Sequence, residues 1–152
     1  LNKTIKQSNM NLYNDKYQIK LYKSADEILT DFYNWRLGFY NKRKDLMINK
    51  IKDQINYLTN QIKFIQLVID SNGTLFKFDD KQMISYLEKN KISKVSNSYD
   101  YLIMMTFKQL SKNNLDKLKI KLNMNKSEIK ELELLSDKDL WLKDLNELKL
   151  NL

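Results

Sequence analysis

INKIKDQINYLTNQIKFIQLVI, the stretch from Ile48 to Ile69, repeats isoleucine or leucine at alternating intervals of three and four residues. This spacing is typical of an α-helix that buries one apolar stripe against a partner helix. It therefore predicts a coiled-coil seam of about three heptads. The seam residues are Ile48, Ile51, Ile55, Leu58, Ile62, Ile65 and Ile69.

The helix that carries this seam is predicted to extend well beyond it. Ser24 and Glu27 form a capping signature, in which a hydroxyl and a carboxylate three residues apart satisfy free N–H groups at a helix start. No helix-ending sequence follows until residues 71–73, which read SNG. We expect one helix over about 24–70, roughly 70 Å long at about 1.5 Å per residue. A helix of that length needs a partner along it.

A second segment with the same spacing is the predicted partner. Ser111 is expected to cap a helix that continues to about residue 135, antiparallel to the first. Asn125 falls in its seam, where it either sets the register of the pair or lies at a point where the seam has turned outward. The apolar seam residues of this helix are Leu115, Leu118, Leu122, Ile129 and Leu132.

The remaining segments predict a small tip and two flanking elements. Residues 79–82 (DDKQ) form a second capping signature before a short amphipathic helix, and a polar loop at 91–98 precedes the apolar stretch YDYLIMMTF. Residues 9–13 and 17–22 alternate apolar and polar side chains, which predicts a β-hairpin; an ordered tail is the alternative. A closing helix is expected to begin after Ser136.

Together these elements predict a mainly α protein: a long antiparallel coiled-coil arm with a small helical globular tip, plus a short N-terminal β-hairpin. The predicted parts are a hairpin leading in from a preceding domain (1–23), the arm with its closing helix (24–70 and 111–152) and the tip (71–110). The sequence contains 2 Gly and no Pro, which favours long helices over a sheet with many turns. Because the first residue is Leu1 rather than Met, we expect a longer parent polypeptide.

The chemistry that the sequence lacks narrows its function. There is no His and no Cys, so the commonest catalytic bases, nucleophile pairs and zinc ligands are missing. Gly38 and Gly73 are isolated, so no phosphate-binding loop is recognisable. We expect no catalytic, cofactor-binding or metal-binding residues; a hard-cation site made of carboxylates is the alternative. No apolar run reaches the ~20 residues of a membrane span, and an intracellular location is expected.

The charge favours an anionic partner. The formal net charge is +8, although a genome rich in A/T codons would also raise the lysine content. The two arginines lie seven residues apart and hence on one helix face. With the neighbouring lysines we expect a basic cluster that contacts a DNA backbone or an acidic neighbour; a solvated face with intrahelical ion pairs is the alternative. The residues are Arg36, Lys42, Arg43 and Lys44.

Several short motifs follow one another in a recognisable order. Residues 26–44 contain EIL, FY, RL, Y and KRK; N and FI follow at 60–65; YDYL, M and LS follow at 99–111; LW and DL follow at 140–145. In this order they resemble the coiled-coil arm of eukaryotic and viral type IIA DNA topoisomerases, over nearly the whole chain. Residues 8–22 are similar to the hairpin before that arm. Lys63 stands where the family has Arg, and the tip loop is shorter than in many cellular members.

The resemblance implies a function for the parent protein. Such enzymes cleave both strands of one DNA duplex, pass a second duplex through the break using ATP, and release it through a protein exit gate. This chain would be the arm and the gate, with double-stranded DNA as the transported segment. The family's nucleophilic tyrosine, its Mg²⁺-binding centre and its ATPase domain lie in other regions, so ATP and Mg²⁺ are cofactors implied for the parent only, and no tyrosine here inherits the catalytic role.

The resemblance also implies a homodimer joined at the tips. The dense apolar and aromatic stretch is the predicted interface, since aromatic and Met side chains are enriched in interface cores. A basic coiled-coil scaffold without an enzymatic parent is the alternative function, and an independent helical enzyme is a third. The parent is expected in the nucleus if cellular, or in host cytoplasm or virion if viral. The interface residues are Tyr99, Tyr101, Leu102, Met104, Met105 and Phe107.

Overall fold

The computed structural model describes residues 9–151; residues 1–8 and Leu152, which belong to the predicted ranges 1–23 and 111–152, lie outside the described residues. Within 9–151 the fold is mainly α, as predicted. A 3-10 turn at Thr74–Lys77 separates the first two helices. In chain order the elements are β1 (Asn11–Tyr13), β2 (Ile19–Leu21), α1 (Ala25–Asp70), α2 (Asp80–Lys89), α3 (Asp100–Ile103), α4 (Lys112–Leu134) and α5 (Asp137–Leu150).

The chain divides into two compact units. The hairpin unit comprises Leu1–Leu46 with Leu135–Leu152, and the tip unit comprises Met47–Leu134. Helix α1 contributes its first part to the hairpin unit and its remainder to the tip unit. The division into lead-in, arm and tip that the sequence suggested stays a prediction.

The hairpin unit contains the predicted β-hairpin, with strands shorter than the predicted segments. β1 and β2 are antiparallel, with Leu12 opposite Lys20. The side-chain carbonyl of Asn14 accepts hydrogen bonds from the backbone N–H groups of Lys16 and Gln18, both at 2.9 Å, which closes the turn. Tyr17 completes this turn at a positive φ of 59°.

The helix caps of the hairpin unit follow the sequence signatures. At the start of α1 the Glu27 N–H donates to the Ser24 hydroxyl at 3.2 Å, and the Glu27 carboxylate accepts from the Lys23 N–H at 2.8 Å. Before α5, Ser136 and Asp139 exchange hydrogen bonds in a capping box. Both helix starts are therefore confirmed.

In the tip unit, α4 returns antiparallel to α1. The Asn125 side-chain amide donates to the Gln54 side-chain oxygen at 3.3 Å. Gln54 lies roughly four turns before the end of α1, and Asn125 lies roughly four turns after the start of α4, at about 3.6 residues per turn. Leu110, two residues before α4, packs against the cluster that contains Phe64 and Val68 near the end of α1. The two contacts together show that the helices are antiparallel. Asn125 is 7% exposed, so it lies in the seam and has not turned outward.

Burial follows the predicted seam over most of its length. Every apolar seam residue predicted on α4 is buried or half-buried. On α1, Ile51, Leu58 and Ile65 are buried, and the predicted seam residues between them are half-buried. Ile69 is an exception and corrects the prediction: it is 37% exposed, whereas Val68 is buried. The reason is that the last turns of α1 pack their Val68 face against the tip.

The core of the tip joins the end of α1 to residues that follow it. Its buried cluster contains Phe64, Val68, Leu75, Leu87, Ile92, Tyr99 and Leu102. Asp79 caps α2 through a hydrogen bond of 2.7 Å from the Gln82 N–H, as predicted. The predicted polar loop contains a tight turn, in which the backbones of Val95 and Ser98 exchange two hydrogen bonds of 3.0 Å.

We expect Ile65→Ala to lower the free energy of unfolding by about 2–5 kcal/mol, because it leaves a cavity at a side chain that is 0% exposed. The matched change Ile69→Ala removes the same atoms from an exposed position and should cost less than about 1 kcal/mol. Urea denaturation followed by circular dichroism measures both. Equal losses would contradict the assignment of the buried face.

Candidate functional site

The apolar stretch at the tip divides into an inner and an outer set. Tyr99 and Leu102 are 5% and 0% exposed and belong to the core of the tip, which corrects their assignment to a dimer interface. Met104 and Phe107 are 79% and 85% exposed. Residue 99 is the N-cap of the short helix α3, and residue 102 lies three positions later on the same face. This spacing could have indicated from the sequence that the two residues are buried together.

Tyr101 anchors the tip loop to α1. Its hydroxyl donates to the Ser93 carbonyl at 2.7 Å, and its ring centroid lies 4.9 Å from that of Tyr57. Burial raises the pKa of Tyr101. The nearby Asn60 is 5% exposed and makes two longer contacts of 3.5 Å with the Ser93 backbone. Tyr101 and Met105, which is also half-buried, therefore support the tip and present only part of their surface outward.

In the hairpin unit the two arginines flank one tyrosine. The guanidinium carbons of Arg36 and Arg43 each lie 5.5 Å from the centroid of the Tyr40 ring, and Tyr40 is 4% exposed. Its hydroxyl donates to the Asp144 carboxylate at 2.8 Å, and Arg43 forms an ion pair with the same carboxylate. Trp141 stacks on Tyr40 at 5.5 Å. The acidic neighbour of Arg43 is thus on α5.

This arrangement shifts the pKa values of Asp144 and Tyr40. The hydrogen bond from Tyr40, and then the contact with Arg43, lower the pKa of Asp144, while burial opposes the shift. Burial, with a contribution from Asp144, raises the pKa of Tyr40. At neutral pH the site therefore holds a carboxylate and a neutral phenol beside two guanidinium groups. The contacts of Tyr40 and Arg43 with Asp144 hold α5 against the first part of α1.

The two lysines of the predicted basic cluster have separate contacts. The Lys42 ammonium lies 5.4 Å from the Phe39 ring centroid. The Lys44 ammonium donates to the Leu135 carbonyl at 2.6 Å. Neither of these two contacts involves Tyr40 or Asp144. Their contact with DNA stays a prediction.

Comparison with known proteins gives the family. Residues 1–146 match the family model for the A-type subunit of DNA gyrase/topoisomerase IV. The chain belongs to this family. The resemblance to eukaryotic and viral type II topoisomerases is thereby confirmed.

Individual relatives of the chain come from viruses and eukaryotes. DNA topoisomerase 2 of Acanthamoeba polyphaga mimivirus is 33% identical over 155 residues, which cover 95% of this chain and 12% of the viral protein. DNA topoisomerase 2 of Penicillium chrysogenum is 26% identical, over 97% of this chain and 11% of that protein. The chain thus spans about an eighth of the length of these relatives.

A solved structure shares the fold. The crystal structure of the Plasmodium falciparum topoisomerase II DNA-binding, cleavage and re-ligation domain matches with a TM-score of 0.84 and 22% identity. The match covers 97% of this chain and 23% of that chain. The chain therefore shares its fold, with the hairpin, the long helix and the return helices, with a solved structure.

Within residues 9–151 no group of three or more acidic, His or Cys side chains is arranged to hold a metal ion. In the same part of the chain no helix is long and apolar enough to cross a membrane. The geometry of the two units consists of packing surfaces, aromatic clusters and ion pairs. These can hold protein surfaces together.

We expect Asp144→Asn to weaken the pH dependence of stability. The native pKa of Asp144 is lowered, so the unfolded state binds its proton more readily, and the stabilisation is present above the unfolded value near ~3.9 and lost as pH falls through the lower native value. Melting temperatures from about pH 6 to pH 2.5 should therefore fall less steeply for the variant. Parallel curves for variant and wild type would contradict the role of this carboxylate.

Proposed function

We propose that this chain is the coiled-coil arm and exit-gate module of an ATP-dependent type II DNA topoisomerase. Membership of the family supports the parent activity. One observation carries the gate: Met104 and Phe107 are the most exposed large apolar side chains of the described tip residues. Neither residue belongs to the buried cluster of the tip or packs against it. The two side chains lie outside the core of the tip and are available to contact a partner.

The physical demands on an exit gate fit such a surface. A gate must hold two subunits together while the DNA is cut and then part to release a duplex. A stable interface buries about 800 Å² per partner, with aromatic and Met side chains enriched at its centre. Two exposed apolar side chains on the tip supply the centre of a contact that remains separable. The proposed partner is a second copy of this chain, joined through Met104 and Phe107.

The parent's chemistry is assigned to other parts of the enzyme. In this proposal ATP and Mg²⁺ act outside this chain, whose own role is to hold and release subunits around a transported duplex. A chain of net charge +8 suits repeated brief contact with DNA, because lysine contacts to phosphate are not sequence-specific. The parent acts where DNA is kept, in the nucleus or in a virus-infected cell.

A basic scaffold that assembles along α4 is the second candidate. It is favoured by Ile120 and Met124, which lie four residues apart on one face of α4 and are 61% and 66% exposed. Assembly through this face would bring helices together lengthwise. Association through the tip does not use either residue.

The two candidates are separated by a matched pair of methionine variants. We expect the wild-type chain to dimerise with rising concentration and Met104→Asp to remain monomeric, since the interface would have to bury an unpaired carboxylate. Met124→Asp makes the same change at another exposed methionine and should leave dimerisation unchanged. Sedimentation velocity over a concentration series measures the association.

The variant Phe107→Asp provides an independent check of the tip. Circular dichroism spectra should stay unchanged for all three variants, because each replaces an exposed side chain. If the wild type stays monomeric at high concentration, the chain does not dimerise through its tip by itself, which contradicts the proposal. Loss of association in Met124→Asp, with retention in Met104→Asp and Phe107→Asp, would favour the scaffold.

The chain by itself should neither hydrolyse ATP nor cleave supercoiled DNA, since the proposal assigns both reactions to other regions. Its binding to duplex DNA should be weak and should fall steeply with salt, as counterions are released for each phosphate contact. ATP turnover that co-purifies with the chain through successive columns would contradict this assignment. Binding that is independent of salt would contradict the expected phosphate contacts.

A further inference from the structure

A cavity of about 630 Å³ lies within the hairpin unit, between the β-hairpin and the first turns of α1. Its volume is in the range of small-ligand pockets, roughly 300–1,000 Å³. Five of the residues that line it are aromatic: Tyr13, Tyr17, Tyr22, Phe32 and Trp35. Neither the tip surface nor the Tyr40–Asp144 contact accounts for this cavity.

The charge of the lining is opposite to that of the chain. Two carboxylates, Asp15 and Asp31, line the cavity, and among residues 9–151 no Lys or Arg does, although the chain carries a net charge of +8. Asp31 accepts a hydrogen bond from the Lys20 ammonium at 2.7 Å, so its charge is partly neutralised. Within residues 9–151 no ion pair involves Asp15. The carboxylate of Asp15 therefore favours a cationic guest over an anionic one.

The chain itself shows that this lining holds a cation. The Lys20 ammonium that binds Asp31 also lies 4.6 Å from the centroid of the Tyr22 ring. An ammonium over an aromatic face beside a carboxylate is a favourable arrangement. Phe32 and Trp35 contact each other at 6.1 Å between ring centroids, and Trp35 also contacts Phe39 at 4.8 Å. They are still 49% and 44% exposed, so part of each ring is accessible to a second cation.

The backbone at the rim adds a further observation. Tyr17 has a φ of 59°, a conformation that bulky side chains rarely adopt, and its side chain is 88% exposed. Gly or Asn would fit this turn position without strain. At this position the Tyr17 ring lines the cavity and is accessible to a ligand.

We propose that this cavity binds a basic polypeptide segment, with a Lys or Arg side chain held by the aromatic rings and by the carboxylate of Asp15. Leu12 and Ile28, which also line the cavity, receive apolar side chains that flank the basic one. All these residues belong to the hairpin unit. The site therefore does not depend on association through the tip.

The test uses the chain labelled with ¹⁵N and the peptide acetyl-Leu-Lys-Leu-amide. The chain has two tryptophans, so two indole N–H signals report separately on Trp35 in the cavity and on Trp141, and Trp35→Phe assigns them. We expect the peptide to shift the Trp35 signal. Acetylation of the peptide's lysine removes the charge and should weaken binding roughly ten-fold, since the cation–π and carboxylate contacts are lost together.

Matched variants of the chain locate the charge. Asp15→Asn should weaken binding of the lysine peptide several-fold, whereas Asp53→Asn, the same change at an exposed position on α1 outside the cavity, should have no effect. An unchanged Trp141 signal confirms that Asp15→Asn is folded. Absence of a shift at Trp35, equal affinity for the acetylated peptide, or equal behaviour of the two Asn variants would overturn the proposal. A larger shift with oligothymidine would do so as well, in favour of nucleic acid.

Discussion

The structure depends on a helix of 46 residues that needs a partner to bury its apolar stripe. Intrinsic propensity contributes little to helix stability in water, and most of it comes from packing an apolar face. In the tip unit this packing is provided by α4, whose Leu115 and Leu132 are buried as are Ile51 and Ile65 of α1. The tip connects α1 to α4 and reverses the direction of the chain. Its residues must therefore allow the two helices to pair, whatever interface they also form.

Polar side chains within the buried surfaces set how the helices pair. Asn125 is buried in an otherwise apolar seam and donates to the exposed side chain of Gln54, so sliding one helix along the other would leave the Asn125 amide buried without this partner. In the tip, Tyr101 donates to the Ser93 carbonyl at 2.7 Å, and the buried Asn60 makes longer contacts with the same residue's backbone. These contacts select one register. A fixed register also fixes the position of the exposed tip side chains.

Local features of the sequence predicted the helices and their caps, because hydroxyl caps and three/four spacing act within a few residues. Contacts between distant segments were less predictable. Ile69 was placed in the seam because its spacing fits, yet the tip packs against the adjacent face. Tyr99 and Met104 belong to the same apolar stretch, yet the first is buried and the second exposed. The hydrogen bond between Tyr40 and Asp144 joins residues 104 positions apart, and no sequence pattern indicated it.

The antiparallel pairing of α1 with α4 is tested most directly by cross-linking. The chain has no Cys, so the pair Gln54→Cys and Asn125→Cys provides the only thiols for a short bis-maleimide. The account predicts efficient intramolecular cross-linking in dilute solution, seen by intact mass and gel mobility. The control pair Gln54→Cys and Lys112→Cys, separated by about 20 Å along α4, should not react in this way. Equal cross-linking of both pairs, or none in the first, would contradict the antiparallel arm.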